Sequence, residues 1–476
     1  MRTAHDDRGV RAASPTRHSE PGRLGALLPA VLVLCLTQLT LVIDTSVVNV
    51  ALPEIRQALG FTDAGLSWVV TAYALVFGGL VLVSGRVGSM IGPRRSLLVG
   101  VSVFTAASVL GGFAGSQAVL IAARALQGAG AALAAPSILV LLMAITEPGR
   151  QRARAMAVFV SSIGVGAATG LVLGGLLTPA FGWQAVMFVN VPIGLAVIAG
   201  VRRLLPEQVR SASRLDVGGA AASTAAMAAL VYALTTAAAE GWTARPVLAA
   251  LAVAVVGLAA LVLVERRHPA PVVPLTFFTR MGSAAPWLAM LLIPAGQFGF
   301  LYFAALFTQE ALGFTPLQTG LSVLPFTVAL LYTNLNTSRL VARYGERVVA
   351  SVGMVALSAG LFWMSRLNAD STFLSGLLGP FLVLGLGAGL TVAPLTAVVM
   401  HTAPPGQTGA AASLNQAMQQ LGGAVGLAVL SSIYGGSAGA SGQSSAMVVA
   451  LTCAVGFPLA ALVLFAIWAR PTSRVS

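Results

Sequence analysis

The chain has 476 residues, 57% hydrophobic and only 9% charged, which excludes a water-soluble enzyme or binding module, whose surface needs far more charge to stay hydrated. Its formal charge of +13 is carried by arginine alone, since all 27 basic residues are Arg, a usage that points to a high-GC bacterium. The arginines fall in short clusters between apolar runs, as charge does in membrane loops, which argues for a bilayer and against a nucleic-acid partner.

In chain order, residues 1–25 are Arg-rich and lack apolar periodicity, and they read as a disordered cytoplasmic tail. The apolar run that follows is too long for a cleaved signal peptide. A membrane-crossing helix needs about 17 to 25 mostly apolar residues. That rule predicts spans over 26–50, 66–87, 95–115, 118–143, 155–178, 184–204 and 216–236, then 246–264, 283–307, 317–338, 347–366, 373–400, 409–433 and 445–469. The expected fold is all-α and integral to the membrane, with 14 transmembrane helices. An even count puts both termini on one side. Sorting by alternate loops places 23 of the 27 arginines with the termini and only Arg56, Arg245 and Arg366 opposite, so the positive-inside rule makes both ends cytoplasmic.

An internal repeat organises these spans. At an offset of 253, "GRVGSMIGPRRSLLVG" (85–100) aligns with "SRLVARYGERVVASVG" (338–353), matching Arg86 with Arg339, Gly92 with Gly345, Arg94 with Arg347 and Gly100 with Gly353. Duplicated halves are a mark of secondary transporters, which bind substrate between the repeats and rock one against the other. The offset predicts a six-helix bundle over 26–204, a two-helix insert over 205–280 and a second six-helix bundle over 281–470.

Asp44 interrupts the first span within "LVIDTSVVNVALPEI" (41–55) and lands on Gln297 in the repeat, so its charge is present in one half only. It shares a helical face with Thr37 and Thr40. Burying a carboxylate at membrane depth costs several kcal/mol, so such a group faces the bundle interior, pairs, or takes a proton. Two roles are open to it: proton coupling, or hydrogen bonds that merely hold helices together. Arg124 is the only other charge deep in a span. At 1.5 Å per residue both sit roughly 9 to 12 Å below the outer surface, the shared depth that a switchable pair requires. An ionised Asp44 would be neutralised by the arginine; a protonated one would free it for substrate or for Gln127. The other readings of Arg124 are snorkelling outward and capping of backbone carbonyls.

In the fifth span, Gly166, Gly170 and Gly174 recur at four-residue spacing with Gly175 beside them, a stripe that lets a neighbouring helix approach closely and, functionally, seals a pathway against leak. Thr40, Tyr73, Gln127, Gln297, Phe298 and Tyr302 are candidates for a substrate cavity, although packing is the commoner role for such residues. Weaker polar positions are Gln309, Glu310, Asn334, Asn336, Asn415, Gln416, Gln419 and Gln420. Both cysteines, Cys35 and Cys453, lie in apolar runs and indicate neither a disulfide nor a metal site. No cofactor is expected, and the absence of a P-loop leaves an ion gradient as the energy source.

Jointly these stretches resemble the fourteen-helix drug:proton antiporters of the major facilitator superfamily, the EmrB/QacA-type multidrug exporters. "IDTSVVNVALP" (43–53) is similar to the family's first-helix motif and "RALQGAGAA" (124–132) to its fourth-helix motif, which implies proton-coupling roles for Asp44 and Arg124. "GRVGSMIGPRR" (85–95) resembles the gate loop between the second and third helices, implying gating roles for Gly85, Gly92, Arg94 and Arg95. "GAATGLVLGG" (166–175) with "FGWQAVMFVNVPIG" (181–194) resembles the fifth-helix antiporter motif and the start of the sixth helix. Later matches are "LGFTPLQTGLSVLP" (312–325), "LGLGAGLTVAPLT" (384–396) and "LGGAVGLAVL" (421–430). The chain departs at Ser89, where the gate motif carries an acid, and at Leu171, where the antiporter motif carries a proline. These departures imply a gate without its charge contact and a straighter fifth helix.

The leading expectation is a proton-coupled antiporter in the cytoplasmic membrane that exports lipophilic small molecules. Its alternative is an uptake or symport carrier of a small metabolite. A membrane enzyme is disfavoured, because it needs a cluster of His, Asp or Glu at one depth.

Overall fold

The computed structural model describes residues 23–207, 216–266, 272–279, 284–367, 371–401, 403–404, 407–441 and 443–468. Of the expected tail, residues 1–22 lie outside the described residues, as does the loop around Arg214. Among the described residues there is no strand. The α-helices are α1 (Arg23–Leu59), α2 (Asp63–Ile91), α3 (Pro93–Gly112), α4 (Gln117–Ile145), α5 (Arg150–Phe181), α6 (Gln184–Phe188), α7 (Asn190–Leu204), α8 (Val217–Glu240) and α9 (Arg245–Glu265). They continue with α10 (Thr276–Thr279), α11 (Ala284–Leu306), α12 (Pro316–Ser322), α13 (Leu324–Met364), α14 (Leu378–His401), α15 (Thr408–Ser441) and α16 (Gln443–Trp468). Among the described residues, twelve helical segments are long and apolar enough to cross a membrane. One of them, Leu317–Met364, is 48 residues long and contains a break at Gly345, whereas α15, 34 residues long, is not among the twelve.

Local chemistry explains the helix ends. Thr62 and Ser116 start α2 and α4 by accepting hydrogen bonds from the backbone N–H groups of Gly65 and Val119. Thr315 and Gln318 form a reciprocal capping box at the start of α12. Between α2 and α3 the chain reverses at Gly92 (φ 95°, ψ 135°), and its repeat mate Gly345 adopts the same left-handed geometry (φ 82°, ψ 157°) inside α13. Only glycine adopts this conformation without strain. The other aligned pair behaves in parallel as well: Gly100 of α3 lies against the Gly130 carbonyl of α4, and Gly353 of α13 against the Gly387 carbonyl of α14. Backbones thus touch at equivalent places in both halves.

The apolar core is continuous at the arginine-rich ends of the helices, where Ile138 and Leu142 of α4 and Met156 and Phe159 of α5 share one cluster with Met400 of α14 and Ala411 of α15. At the opposite ends it divides. Ile43, Val47, Leu120 and Trp183 form one cluster from the first half, while Phe300, Phe303 and Phe381 belong to another from the second. Across this division, Leu171 and Gly175 of α5 approach Gly320 and Leu317 of α12. Helix α8 lies beside α2 and α15, with Val231 against Gly78 and the Trp242 indole N–H donating to the Ser432 hydroxyl at 2.8 Å. Helix α9 packs on α8 at Gly257 and turns Val255 and Val256 (69% exposed) outward, as a lipid-facing helix does.

The glycine contacts yield a stability test. A Cβ on Gly100 would lie 2.6 Å from the Gly130 oxygen, and one on Gly353 2.8 Å from the Gly387 oxygen. Gly100→Val and Gly353→Val each lower the melting temperature of the detergent-purified protein, by the equivalent of about 1–3 kcal/mol of overpacking. Gly456→Ala, where a Cβ meets nothing within 4 Å, leaves it unchanged or higher.

Candidate functional site

Five helices converge on Asp44. The side chain is fully buried, and so is Arg124, at 1% exposure. One carboxylate oxygen, Oδ2, accepts from Arg124 Nη1 at 2.5 Å. The other, Oδ1, accepts from Gln127 Nε2 at 3.0 Å and from Asn190 Nδ2 at 2.7 Å. Three donors therefore stand around one carboxylate in a dry site, which is what an ionised group needs to survive there.

The arginine has partners of its own. Its Nε donates to the Val69 carbonyl of α2 at 3.0 Å, Nη1 donates also to Gln127 Oε1 at 2.9 Å, and the guanidinium carbon lies 4.6 Å from the centre of the Tyr73 ring. Gln127 Nε2 donates a second bond to Ser108 Oγ at 2.8 Å, and that hydroxyl donates onward to the Phe104 carbonyl. Every polar atom of Gln127 is thus committed. Asn190 Oδ1, by contrast, is buried and has no partner.

The depth argument from sequence and the structure agree in bringing Asp44, Arg124 and Gln127 together, with Tyr73 beneath the guanidinium. Thr40 is buried and its hydroxyl donates back to the Leu36 carbonyl of its own helix at 2.7 Å. Thr37 does the same to Val33. Gln297 sits apart, beside Phe300 and Leu361 in a small apolar cleft of the second half. Phe298 (47% exposed) and Tyr302 (39%) are on the exposed side of α11, and Phe298 also covers Gly423 of α15. The six cavity candidates therefore do not form one group: Tyr73 and Gln127 belong to the Asp44 cluster, Thr40 is bonded within α1, and the other three lie on α11.

Gly166, Gly170 and Gly174 all face α1, against Val42, Ser46 and Val50, so α5 rides directly on the segment that carries Asp44. Gly175 faces Leu317 instead. Helix α5 runs unbroken past Leu171. Gly85 abuts the Gly409 carbonyl and Ser413 of α15, a contact between the two halves. Arg94 and Arg95 do not cross between halves: Arg94 donates to the Arg202 carbonyl at 2.8 Å, and Arg95 pairs with Glu207 at 3.1 Å. Ser89 turns its hydroxyl back to the Arg86 carbonyl at 2.7 Å, while Nε and Nη2 of Arg86 are buried without partners.

Asn190 and Ser108 were not among the residues expected at this site. Asn190 stands at the start of α7, with Pro192 just beyond. The signal available for it was a single amide within "VMFVNVPIG" (186–194), a polar group at membrane depth of the kind that marks a site.

Comparisons with known proteins agree with this architecture. The model of the Major Facilitator Superfamily matches residues 34–427 and 287–475. The chain is 38% identical to the cephamycin export protein CmcT of Amycolatopsis lactamdurans, covering 91% of this chain and 90% of that protein. It is 37% identical to the puromycin resistance protein pur8 of Streptomyces alboniger (93% and 91%) and 33% identical to the tetracenomycin C resistance and export protein of Streptomyces glaucescens (90% and 78%). Among solved structures, the human organic anion transporter MFSD10 shares the fold with a TM-score of 0.64 at 16% identity, covering 94% of this chain and 100% of that one. The proton:xylose symporter XylE does so with a TM-score of 0.65 at 14% identity (92% and 95%). With its paired halves and these relatives, the chain belongs to the Major Facilitator Superfamily, and the relatives named here are antibiotic export and resistance proteins.

Proposed function

We propose that this protein is a proton-coupled antiporter that exports lipophilic small molecules, antibiotics or secondary metabolites among them, across the cytoplasmic membrane by alternating access. The observation that carries the reading is the fully buried Asp44 carboxylate, held by Arg124 and two amides on helices of one bundle. The relatives named for export or resistance support the direction of transport.

In this reading the chain crosses the membrane fourteen times, with the Leu317–Met364 segment counted twice across Gly345 and α15 added to the apolar helices. Residues 26–204 and 281–470 form the two bundles, and residues 205–280 form the insert. Both termini and the arginine-rich helix ends face the cytoplasm. The continuous core at those ends then closes the inner side of the pathway, and Asp44 awaits a proton from outside.

The chemistry follows from the bonding. A proton on Asp44 removes the charge opposite Arg124, yet the arginine keeps the Val69 carbonyl, Gln127 Oε1 and the Tyr73 ring as partners. Neutralising Asp44 thus weakens its tie between α1 and α4 without stranding a cation, and the packed glycine face of α5 follows α1 as the bundles rock. When the inner side opens, the proton leaves and the ion pair re-forms.

Two experiments test this. In a pump-deficient host, the wild type lowers the cellular content of a lipophilic dye, an uncoupler abolishes the effect, and Asp44→Asn loses it. Undiminished efflux by Asp44→Asn sinks the mechanism, and efflux indifferent to the uncoupler sinks proton coupling. Thermal melting of purified protein separates the two partners. Arg124→Leu strands a buried carboxylate and costs about 3–5 kcal/mol, whereas Asp44→Asn leaves Arg124 its other partners and costs about 1–3 kcal/mol.

A further inference from the structure

Protonating Asp44 converts an atom that only accepts into one that must also donate, and a dry O–H needs an acceptor. Arg124 offers none. Gln127 Oε1 already accepts from Arg124 Nη1, and Gln127 Nε2 is a donor shared between Asp44 and Ser108. The Ser108 hydroxyl is taken on both sides, by Gln127 and by the Phe104 carbonyl. That leaves Asn190. Its Nδ2 donates to Asp44 Oδ1 at 2.7 Å, and its own Oδ1 is buried without a partner.

Resting on the proton-coupling reading above, we propose that Asn190 is a positioning residue that accepts the hydrogen bond of protonated Asp44 by turning its side-chain amide over. Opposite the carboxylate, the amide must present nitrogen, because two oxygens would repel. Opposite the carboxylic acid it must present oxygen, because two N–H or O–H donors would repel. A half-turn about the terminal bond of Asn190 exchanges the two. The proton from the outer side then sits on Asp44 Oδ1 and points at Asn190 Oδ1, Gln127 Nε2 still donates to Asp44 Oδ1, and Arg124 still donates to Oδ2, now a neutral carbonyl oxygen. Each state leaves one Asn190 atom unpaired. Without the turn, protonation would add a dry, unpaired O–H and a clash with Nδ2.

The surroundings supply no competing proton site among the described residues. The titratable groups facing the carboxyl are Arg124 from α4 and, within coulombic reach, the Tyr73 phenol from α2. Helix α3 contributes Ser108 and α7 contributes Asn190, while α5 meets α1 at Val42, Ser46 and Val50 through Gly166, Gly170 and Gly174, which carry no titratable group.

The test uses the full chain in proteoliposomes, with infrared difference spectra between high and low pH and the kinetics of proton-driven dye transport. The wild type shows a protonated-carboxyl band that disappears in Asp44→Asn. In Asn190→Val that band moves to higher frequency, as for an acid without an acceptor. The maximal proton-driven rate falls about tenfold, while the dye KM stays within about twofold. Asn190→Ser, which both donates and accepts, brings band and rate back toward wild type. Should Asn190→Val fail to bind dye, Asn190→Ser against Asn190→Cys carries the same comparison, since a thiol is a poor acceptor of similar shape. A band and rate unchanged in Asn190→Val, or equal behaviour of the Ser and Cys variants, overturns the role of Asn190 alone. Proton-driven transport retained in Asp44→Asn overturns the coupling reading beneath it.

Discussion

A carboxylate and a guanidinium, both out of contact with water and 2.5 Å apart, are the constraint around which the first half of this molecule is arranged. Taking two ions out of water costs several kcal/mol each, and their attraction offsets that only where the remaining lone pairs and protons are also bonded. Here they nearly all are: two amides complete the carboxylate, and a carbonyl, an amide oxygen and an aromatic face complete the arginine. The arrangement needs residues from α1, α2, α3, α4 and α7 in register, so the cluster works as a joint as well as a site.

The helix that presses on this joint is nearly featureless where it does so. Gly166, Gly170 and Gly174 bring the backbone of α5 against α1 on both sides of Asp44, and a neighbouring position, Gly175, meets the second half at Leu317. One helix therefore touches both the segment that carries Asp44 and the opposite half. In the proposed cycle, a change of charge at Asp44 is felt by α1, then by α5, and through α5 by the interface with α12. Small residues suit this role because a packed seam without side chains transmits displacement and leaves no gap for ions.

Helices α8 and α9 pack differently from the rest. Helix α8 rests on α2 and α15, one helix from each half, and Trp242 adds a hydrogen bond to Ser432. Helix α9 rests on α8 and offers most of its apolar surface outward. The pair thus lies along the seam where Gly85 meets Gly409, outside the Asp44 cluster.

Much of this was legible in the amino-acid order, because a bilayer enforces simple local rules. Apolar runs of sufficient length had to become helices, since backbone groups have no other partner in hydrocarbon. The matched glycines at 92 and 345 had to share a conformation, as they do, because the turn they make excludes side chains. Asp44 and Arg124 stood out as charges at equal depth. Tertiary structure alone decided which neutral groups complete the pair. Ser108 and Asn190 lie 64 and 146 positions from Asp44 in the chain, and hydrogen bonds between neutral side chains leave no periodicity to read. It also decided that Thr40 is spent on its own helix, that Arg94 and Arg95 brace one half instead of joining two, and that the core is shared at one end and split at the other. Sequence specifies depth and face along each helix; which faces meet depends on how all the helices pack at once.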